Sequence, residues 1–139
     1  MKWNLLLAVF ALATALVPGA AAAQQPYKVV FEVTGEDRPG WEALLRTLGN
    51  VQRVLPGASV EVIVHGKALP LLLAAENPLG EQLKALRKGG VRFHACENTM
   101  RRLKVERSAL LPFVGTVDSA VAQLVRRQSE GWAYIKAGD

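Results

Sequence analysis

The order of apolar and polar positions along the chain predicts five strands separated by helices. Short runs rich in β-branched and aromatic residues are typical of strands, and these lie at 27–33, 59–64, 91–95, 113–117 and 132–136. Apolar positions three or four residues apart predict helices at 41–55 and 118–129. Further helices are predicted at 67–75, 79–88 and 97–103, with a helical turn at 107–111. Because strands alternate with helices, we expect a parallel sheet covered on both faces.

The last predicted helix is amphipathic, and its apolar residues predict which side faces the sheet. Val121, Leu124 and Val125 lie on one side of it, and Asp118 or Ser119 is the expected N-cap. Trp132 and Tyr134 follow in the last strand, and Trp41 begins the first helix. We expect these aromatic residues in the core or in a subunit interface rather than around a cofactor.

The first 23 residues have the pattern of a cleaved signal peptide. Lys2 gives a positive start, residues 5–17 form an apolar core, and small residues follow up to Ala23. The apolar core is about 13 residues long, shorter than the roughly 20 that span a bilayer. We therefore expect a signal peptide at 1–23, a single domain at 24–139, a periplasmic location and no membrane association after cleavage.

Cys96 is the one cysteine among the 139 residues, and an exported protein normally meets an oxidising compartment. It cannot pair within its own chain, so it is a buried inert residue, a working thiol or a bridge between two chains. The strand pattern places it after the third strand, at the edge of the sheet where reactive groups collect. That position favours a working thiol.

The sequence around Cys96 predicts conditions that lower the pKa of a thiol. Glu97, Asn98 and Thr99 begin a helix, whose free backbone N–H groups point near the sulfur. Residues 84–104 contain seven basic residues and a single acid, Glu97, although the whole chain has a net charge of only +5. This modest excess does not establish nucleic-acid binding, because the aromatic and basic alternation of single-strand binding surfaces is missing.

The two histidines are candidates for supporting roles at the thiol. His94 and Cys96 project from the same face of the third strand, but side chains two residues apart point in parallel and seldom form a good hydrogen bond. His65 ends the second strand and is expected to line the same edge of the sheet. Their spacing predicts no metal site, and the loop at 35–40 lacks a nucleotide-binding fingerprint, so we expect no cofactor.

Five segments of the chain resemble the DsrE/DsrF-like family, in particular its single-domain exported members. They read KVVFEVTG, LGNVQRVLPG, VEVIVHG, GGVRFHACENTMRRL and EGWAYIK and together span 27–136. The most specific pieces are Cys96–Met100 and Gly131–Lys136. Asn50, His65 and Gly66 also match the pattern of the family.

The resemblance implies a three-layer α/β/α fold, a five-stranded, mainly parallel sheet, and homo-oligomers, commonly trimers or hexamers. Its better-understood relatives carry sulfur as a persulfide on the cysteine that Cys96 matches. The first hypothesis is therefore a periplasmic sulfur carrier, with Cys96 as persulfide acceptor, His94, Asn98, Thr99 and His65 as possible supporting residues, and a donor or acceptor protein as partner. The alternatives are a non-catalytic oligomeric binding module for a small anion or a protein, suggested by the basic residues at 101–107, and a thiol-dependent sulfurtransferase.

Overall fold

A single parallel sheet forms the centre of the computed structural model, which describes residues 26–138. Its strands are β1 (Lys28–Val33), β2 (Ser59–Val64), β3 (Arg92–Cys96), β4 (Gly115–Val117) and β5 (Ala133–Ala137). Their order across the sheet is β4-β3-β2-β1-β5, and each neighbouring pair is parallel. The prediction of a five-stranded, mainly parallel sheet is confirmed, and the described sheet is parallel throughout.

The helices occupy the connections between these strands. They are α1 (Arg38–Val54), α2 (Gly80–Lys88), α3 (Glu97–Leu103) and α4 (Ala120–Ser129), with 3₁₀ segments at Gly66–Leu72 and Arg107–Ala109. The helix α1 begins three residues before the predicted start. Asp37 caps it by accepting a hydrogen bond from the backbone N–H of Gly40 at 2.7 Å, and a proline in the first turn favours the same start.

The helix predicted at 67–75 is a 3₁₀ helix, Gly66–Leu72, which ends three residues earlier than predicted. Pro70 lies inside it and has no N–H to donate to an α-helical hydrogen bond. The side chain of Asn77 donates to the carbonyl groups of Leu71 and Leu73 at 2.8 and 2.7 Å. These bonds satisfy the carbonyl groups where the helix stops, as the ends of helices require.

One face of the sheet is covered by α1 and α2 and forms the main core. Alternate residues of the three central strands point to this face and are buried: Val29, Phe31, Val33, Val60, Val62, Val64, Phe93 and Ala95. The helices contribute Leu44, Leu45, Leu48, Leu83 and Leu86. Burial of this apolar surface supplies the main stabilisation of the fold.

The opposite face is covered by α4, which does not bury the side predicted from its apolar residues. Leu124 is buried, but Val121 and Val125 are 63% and 57% exposed. Gln123 and Arg127 point to the sheet instead, where both donate hydrogen bonds to a buried carboxylate. The prediction for Val121 and Val125 was wrong because the sheet under α4 carries a charge that needs polar partners.

The predicted signal peptide, residues 1–23, lies outside the described residues. Among residues 26–138, no helix is long and apolar enough to cross a membrane.

Candidate functional site at the carboxyl edge of the sheet

Cys96 is the last residue of β3 and directly precedes α3. It therefore lies at the carboxyl edge of the sheet, where the sequence analysis placed it. The side chain is 4% exposed and belongs to an apolar cluster with Val30, Ile63 and Leu124. Apolar side chains therefore lie on one side of the sulfur, and the reactivity of the thiol depends on the polar groups on its other side.

Backbone N–H groups from two helices are directed at the sulfur of Cys96. Ala120, the first residue of α4, donates its N–H to Sγ with an N–S distance of 3.3 Å. The pKa of the Cys96 thiol is lower than usual. Burial has the strongest single influence and raises the pKa, but hydrogen bonds from the backbone of Thr99, Ala120 and Asn98 and from the Thr99 hydroxyl together outweigh it.

A cleft of about 320 Å³ opens beside the thiol. Its walls come from the end of β2, from α3 and from the start of α4: His65, Cys96, Asn98, Thr99, Arg102, Ser119, Ala120 and Val121. Four residues expected at the site, Cys96, His65, Asn98 and Thr99, therefore meet in one place. The volume is near the lower end of the range for small-molecule pockets, about 300–1,000 Å³.

Hydrogen bonds, rather than the basic residues around Cys96 in sequence, have the strongest lowering effect on its pKa. Of those basic residues, Arg102 lines the cleft, whereas Arg92 lies 3.7 Å from the carboxylate of Glu61. Glu97 accepts a hydrogen bond from Thr116 at 2.8 Å and lines a neighbouring cleft. The fold therefore gives Arg92 and Glu97 partners other than the thiol.

Gly66 connects the end of β2 to the site. Its backbone N–H donates to the hydroxyl oxygen of Thr99 at 3.0 Å, which leaves the hydroxyl proton available to the sulfur of Cys96. Gly66 has φ +60°, a conformation that glycine adopts at low cost. The glycine after His65 thus positions one of the donors to the thiol.

His65 is held by the carboxylate of Glu32, which was not among the predicted site residues. Its Nε2 atom lies 2.8 Å from Oε1 of Glu32 on β1, and Tyr134 on β5 donates its hydroxyl to the other oxygen of Glu32. A carboxylate inside the apolar strand sequence KVVFEV is the signal that could have identified Glu32. The partnership with Tyr134 joins residues 102 positions apart and has no sequence signal.

His94 faces a buried carboxylate instead of the thiol. Its Nε2 atom lies 3.5 Å from Glu61, which is completely buried and accepts hydrogen bonds from Gln123 at 2.8 Å and from Arg127 at 2.6 Å. Burial, the strongest influence, lowers the pKa of His94, and the nearby arginines add to this effect against the attraction of Glu61. These contacts join α4 to the sheet and place His94 against Glu61 rather than against the thiol.

A larger cleft, of about 580 Å³, is lined by other residues of α3 and the segment after it. They are Glu97, Met100, Arg101, Lys104, Val105, Glu106, Arg107 and Thr116. Cys96 is not among them. Within the described part of the chain, no group of three or more histidine, cysteine, aspartate or glutamate residues could hold a metal ion.

The fold and this thiol cleft define an α/β protein with a cysteine at the carboxyl edge of a parallel sheet. The family model of the DsrE/DsrF-like family matches residues 19–137. The chain belongs to the DsrE/DsrF-like family, as the resemblance indicated. No curated protein matches the chain.

Solved structures share this fold. The protein of unknown function MTH1491 from Methanobacterium thermoautotrophicum is 34% identical, with a TM-score of 0.76, and the match covers 79% of this chain and 98% of that chain. The ychN protein from E. coli is 13% identical, with a TM-score of 0.69 over 79% and 98%. The conserved protein of unknown function BT1422 from Bacteroides thetaiotaomicron is 13% identical, with a TM-score of 0.64 over 78% and 93%.

Proposed function

We propose that this protein carries sulfane sulfur as a persulfide on Cys96. The Cys96 thiolate attacks a sulfane sulfur of a donor such as polysulfide, and the sulfur–sulfur bond to the rest of the donor breaks, so that the shortened donor leaves with the electron pair. The thiol of a partner protein then attacks the outer sulfur of the persulfide and releases the Cys96 thiolate. The observation that carries the proposal is the position of the Cys96 thiol, which accepts the N–H of Ala120 and lines a cleft at the carboxyl edge of the sheet. The lowered pKa of this thiol agrees with it. Membership of the DsrE/DsrF-like family supports it, because the better-understood relatives hold sulfur at the matching cysteine.

Sulfur loading tests this proposal directly. The chain from residue 24 is incubated with polysulfide, or with thiosulfate and a sulfur-donor enzyme, and its intact mass is measured. We expect a gain of one sulfur atom that a reducing thiol removes, and no gain in Cys96→Ser. If the unmodified chain gains no sulfur from any of these donors, the proposal is wrong. Steady-state turnover with cyanide as acceptor would identify a sulfurtransferase rather than a stoichiometric carrier.

The location and assembly of the carrier are part of the proposal. We expect a periplasmic protein after cleavage near Ala23, which cell fractionation and N-terminal sequencing would check. We also expect a homo-oligomer, a trimer or a hexamer. The exposed apolar side chains of Val121 and Val125 on α4 and of Tyr134 and Ile135 on β5 support it. Light scattering of the purified protein would contradict this expectation if it gave the mass of a monomer.

A second candidate, an anion-binding or partner-binding module, is favoured by the larger cleft. Arg101, Lys104 and Arg107 line it, so it suits a small anion or an acidic segment of a protein. If Cys96→Ser retained the full cellular phenotype while Arg107→Gln lost it, this candidate would replace the sulfur carrier.

A further inference from the structure

Four neighbouring strands each contribute a polar side chain to a row on the α4 side of the sheet. In their order across the sheet, β5 provides Tyr134, β1 provides Glu32, the end of β2 provides His65 and β3 provides Cys96. Hydrogen bonds join the first three in that same order. His65 and Cys96 then line one cleft of about 320 Å³. These four residues form a row that extends from the hydroxyl of Tyr134 to the cleft beside the Cys96 thiol.

Hydrogen bonds within the row shift the pKa of Glu32 and the pKa of Tyr134. Burial, the strongest influence, raises the pKa of Glu32, but bonds from Tyr134 and His65 and the charge of Lys136 lower it below its usual value. The bond to Glu32 raises the pKa of Tyr134, so its hydroxyl remains a donor at neutral pH. Because the carboxylate of Glu32 accepts hydrogen bonds, Nε2 of His65 donates to it, and Nδ1 is the ring nitrogen left to accept a proton.

We propose that His65 accepts the proton of an incoming thiol during sulfur transfer from Cys96, and that Glu32, held by Tyr134, positions the His65 ring. The inference rests on the proposed sulfur-carrier function and assigns a role that this function needs. A small thiol is mostly protonated at neutral pH, whereas its thiolate is the nucleophile. A base beside the cleft accepts the proton of the thiol and so produces the nucleophilic thiolate.

The transfer step is balanced without an oxidant or a reductant. The acceptor thiol gives its proton to His65, and its sulfur attacks the outer sulfur of the Cys96 persulfide. A new sulfur–sulfur bond forms on the acceptor while the bond to Sγ of Cys96 breaks. The electron pair of the broken bond remains on Sγ as a thiolate, which the N–H of Ala120 and the hydroxyl of Thr99 stabilise. His65 then releases its proton to solvent.

The charges around His65 suit this role. Glu32 faces the ring from β1 and stabilises the imidazolium that forms. Arg102 of α3 lines the same cleft and offers a positive charge to an anionic acceptor or persulfide. Lys136 of β5 acts on Glu32, and Tyr134 reaches His65 through the carboxylate.

The experiment loads the chain with sulfur from polysulfide and measures its transfer to N-acetylcysteine by intact mass and rapid-quench kinetics. For His65→Gln we expect transfer near neutral pH to slow by about 100-fold, the usual effect of losing a general base. For Glu32→Gln we expect about a tenfold loss, equivalent to one hydrogen bond to a charged group. Tyr134→Phe should have a smaller effect in the same direction. Glu36→Gln and Tyr27→Phe are matched controls, since both side chains are exposed and lie outside the row.

The acceptor itself separates proton transfer from a structural role. Thionitrobenzoate is already a thiolate at neutral pH, so it should receive sulfur from His65→Gln and Glu32→Gln at nearly the rate of the unmodified chain. A structural defect would slow both acceptors equally and would overturn the inference. Unchanged transfer to N-acetylcysteine in both variants would overturn it as well. If the unmodified chain takes up no sulfur, the carrier function itself fails and this inference falls with it.

Discussion

The face of the sheet under α1 and α2 buries apolar side chains, whereas the face under α4 buries a carboxylate and a thiol beside its apolar residues. On the first face, leucines of two helices meet valines and phenylalanines of the strands. On the second, Glu61 is completely buried and Cys96 is 4% exposed. Both faces belong to the same three central strands, because successive side chains of a strand point to opposite sides.

The difference shows that α4 both stabilises the fold and provides a hydrogen-bond donor to the thiol. The first turn of α4 directs the N–H of Ala120 to the sulfur of Cys96. Further along the helix, Gln123 and Arg127 satisfy the oxygens of Glu61. The helix is held to the sheet by polar contacts that also fix the donor to the thiol. The apolar face needs no such specific partners, since hydrophobic burial is not directional.

The largest effect is expected on the apolar face. Phe93 is buried and packs against Phe113 with the ring centroids 6.5 Å apart. Phe93→Ala should lower the free energy of unfolding by about 3–5 kcal/mol, because it leaves a cavity in the main core. Urea denaturation followed by tryptophan fluorescence measures this value. Phe113→Ala is the control and should cost less because Phe113 is only partly buried.

Breaking the buried charge pair should have the next largest effect. Arg127→Ala removes the 2.6 Å hydrogen bond to Glu61 and the cation–π contact with Trp132, whose ring centroid lies 4.7 Å away. We expect a loss of about 3 kcal/mol in the free energy of unfolding, because the carboxylate remains buried. Arg126→Ala, in the exposed neighbouring residue, should change stability little. Equal losses of unfolding free energy in the two variants would contradict a special contribution of the buried Glu61–Arg127 pair to stability.

A smaller effect is expected at the thiol. Thr99→Val removes the hydroxyl donor and should raise the pKa of Cys96 toward its ordinary value, so that alkylation by iodoacetamide below that value slows about tenfold. The alkylation rate as a function of pH checks this, with the midpoint moving to higher pH. Thr116→Val serves as control, since Thr116 bonds to Glu97. A reaction that needs denaturant would show instead that the sulfur is inaccessible.

The smallest effect on folding is expected on the outer side of α4. Val125→Ser changes a residue that is 57% exposed, and its free energy of unfolding should change by about 0.5 kcal/mol or less. Leu124→Ser, at the neighbouring buried position, should cost several times more. Urea denaturation at low protein concentration compares the two. A large loss in Val125→Ser at protein concentrations where the chain is monomeric would contradict this expectation, whereas a loss confined to high concentration would support burial of this side in the proposed homo-oligomer.

The sequence predicted the strands well because most of them contain several β-branched or aromatic residues. It also placed Cys96 at the end of β3, since the next residues begin a helix. Hydrophobic periodicity gave the wrong prediction for α4, where Val121 and Val125 are apolar but exposed. Periodicity assumes an apolar surface under the helix. The carboxylate inside the strand sequence SVEVIV is a local signal for Glu61, but no local pattern shows that Glu61 lies under α4.

The chain by itself determined the alternation of strands and helices, the parallel sheet and the position of its single cysteine, because these follow from local periodicity and from the hydrophobic effect. Only the tertiary structure decided which groups reach the sulfur. Ala120 is 24 residues from Cys96, and Glu32 is 33 residues from His65. Hydrogen bonds act over about 3 Å, so such partners are set by strand order and helix packing rather than by neighbourhood in sequence.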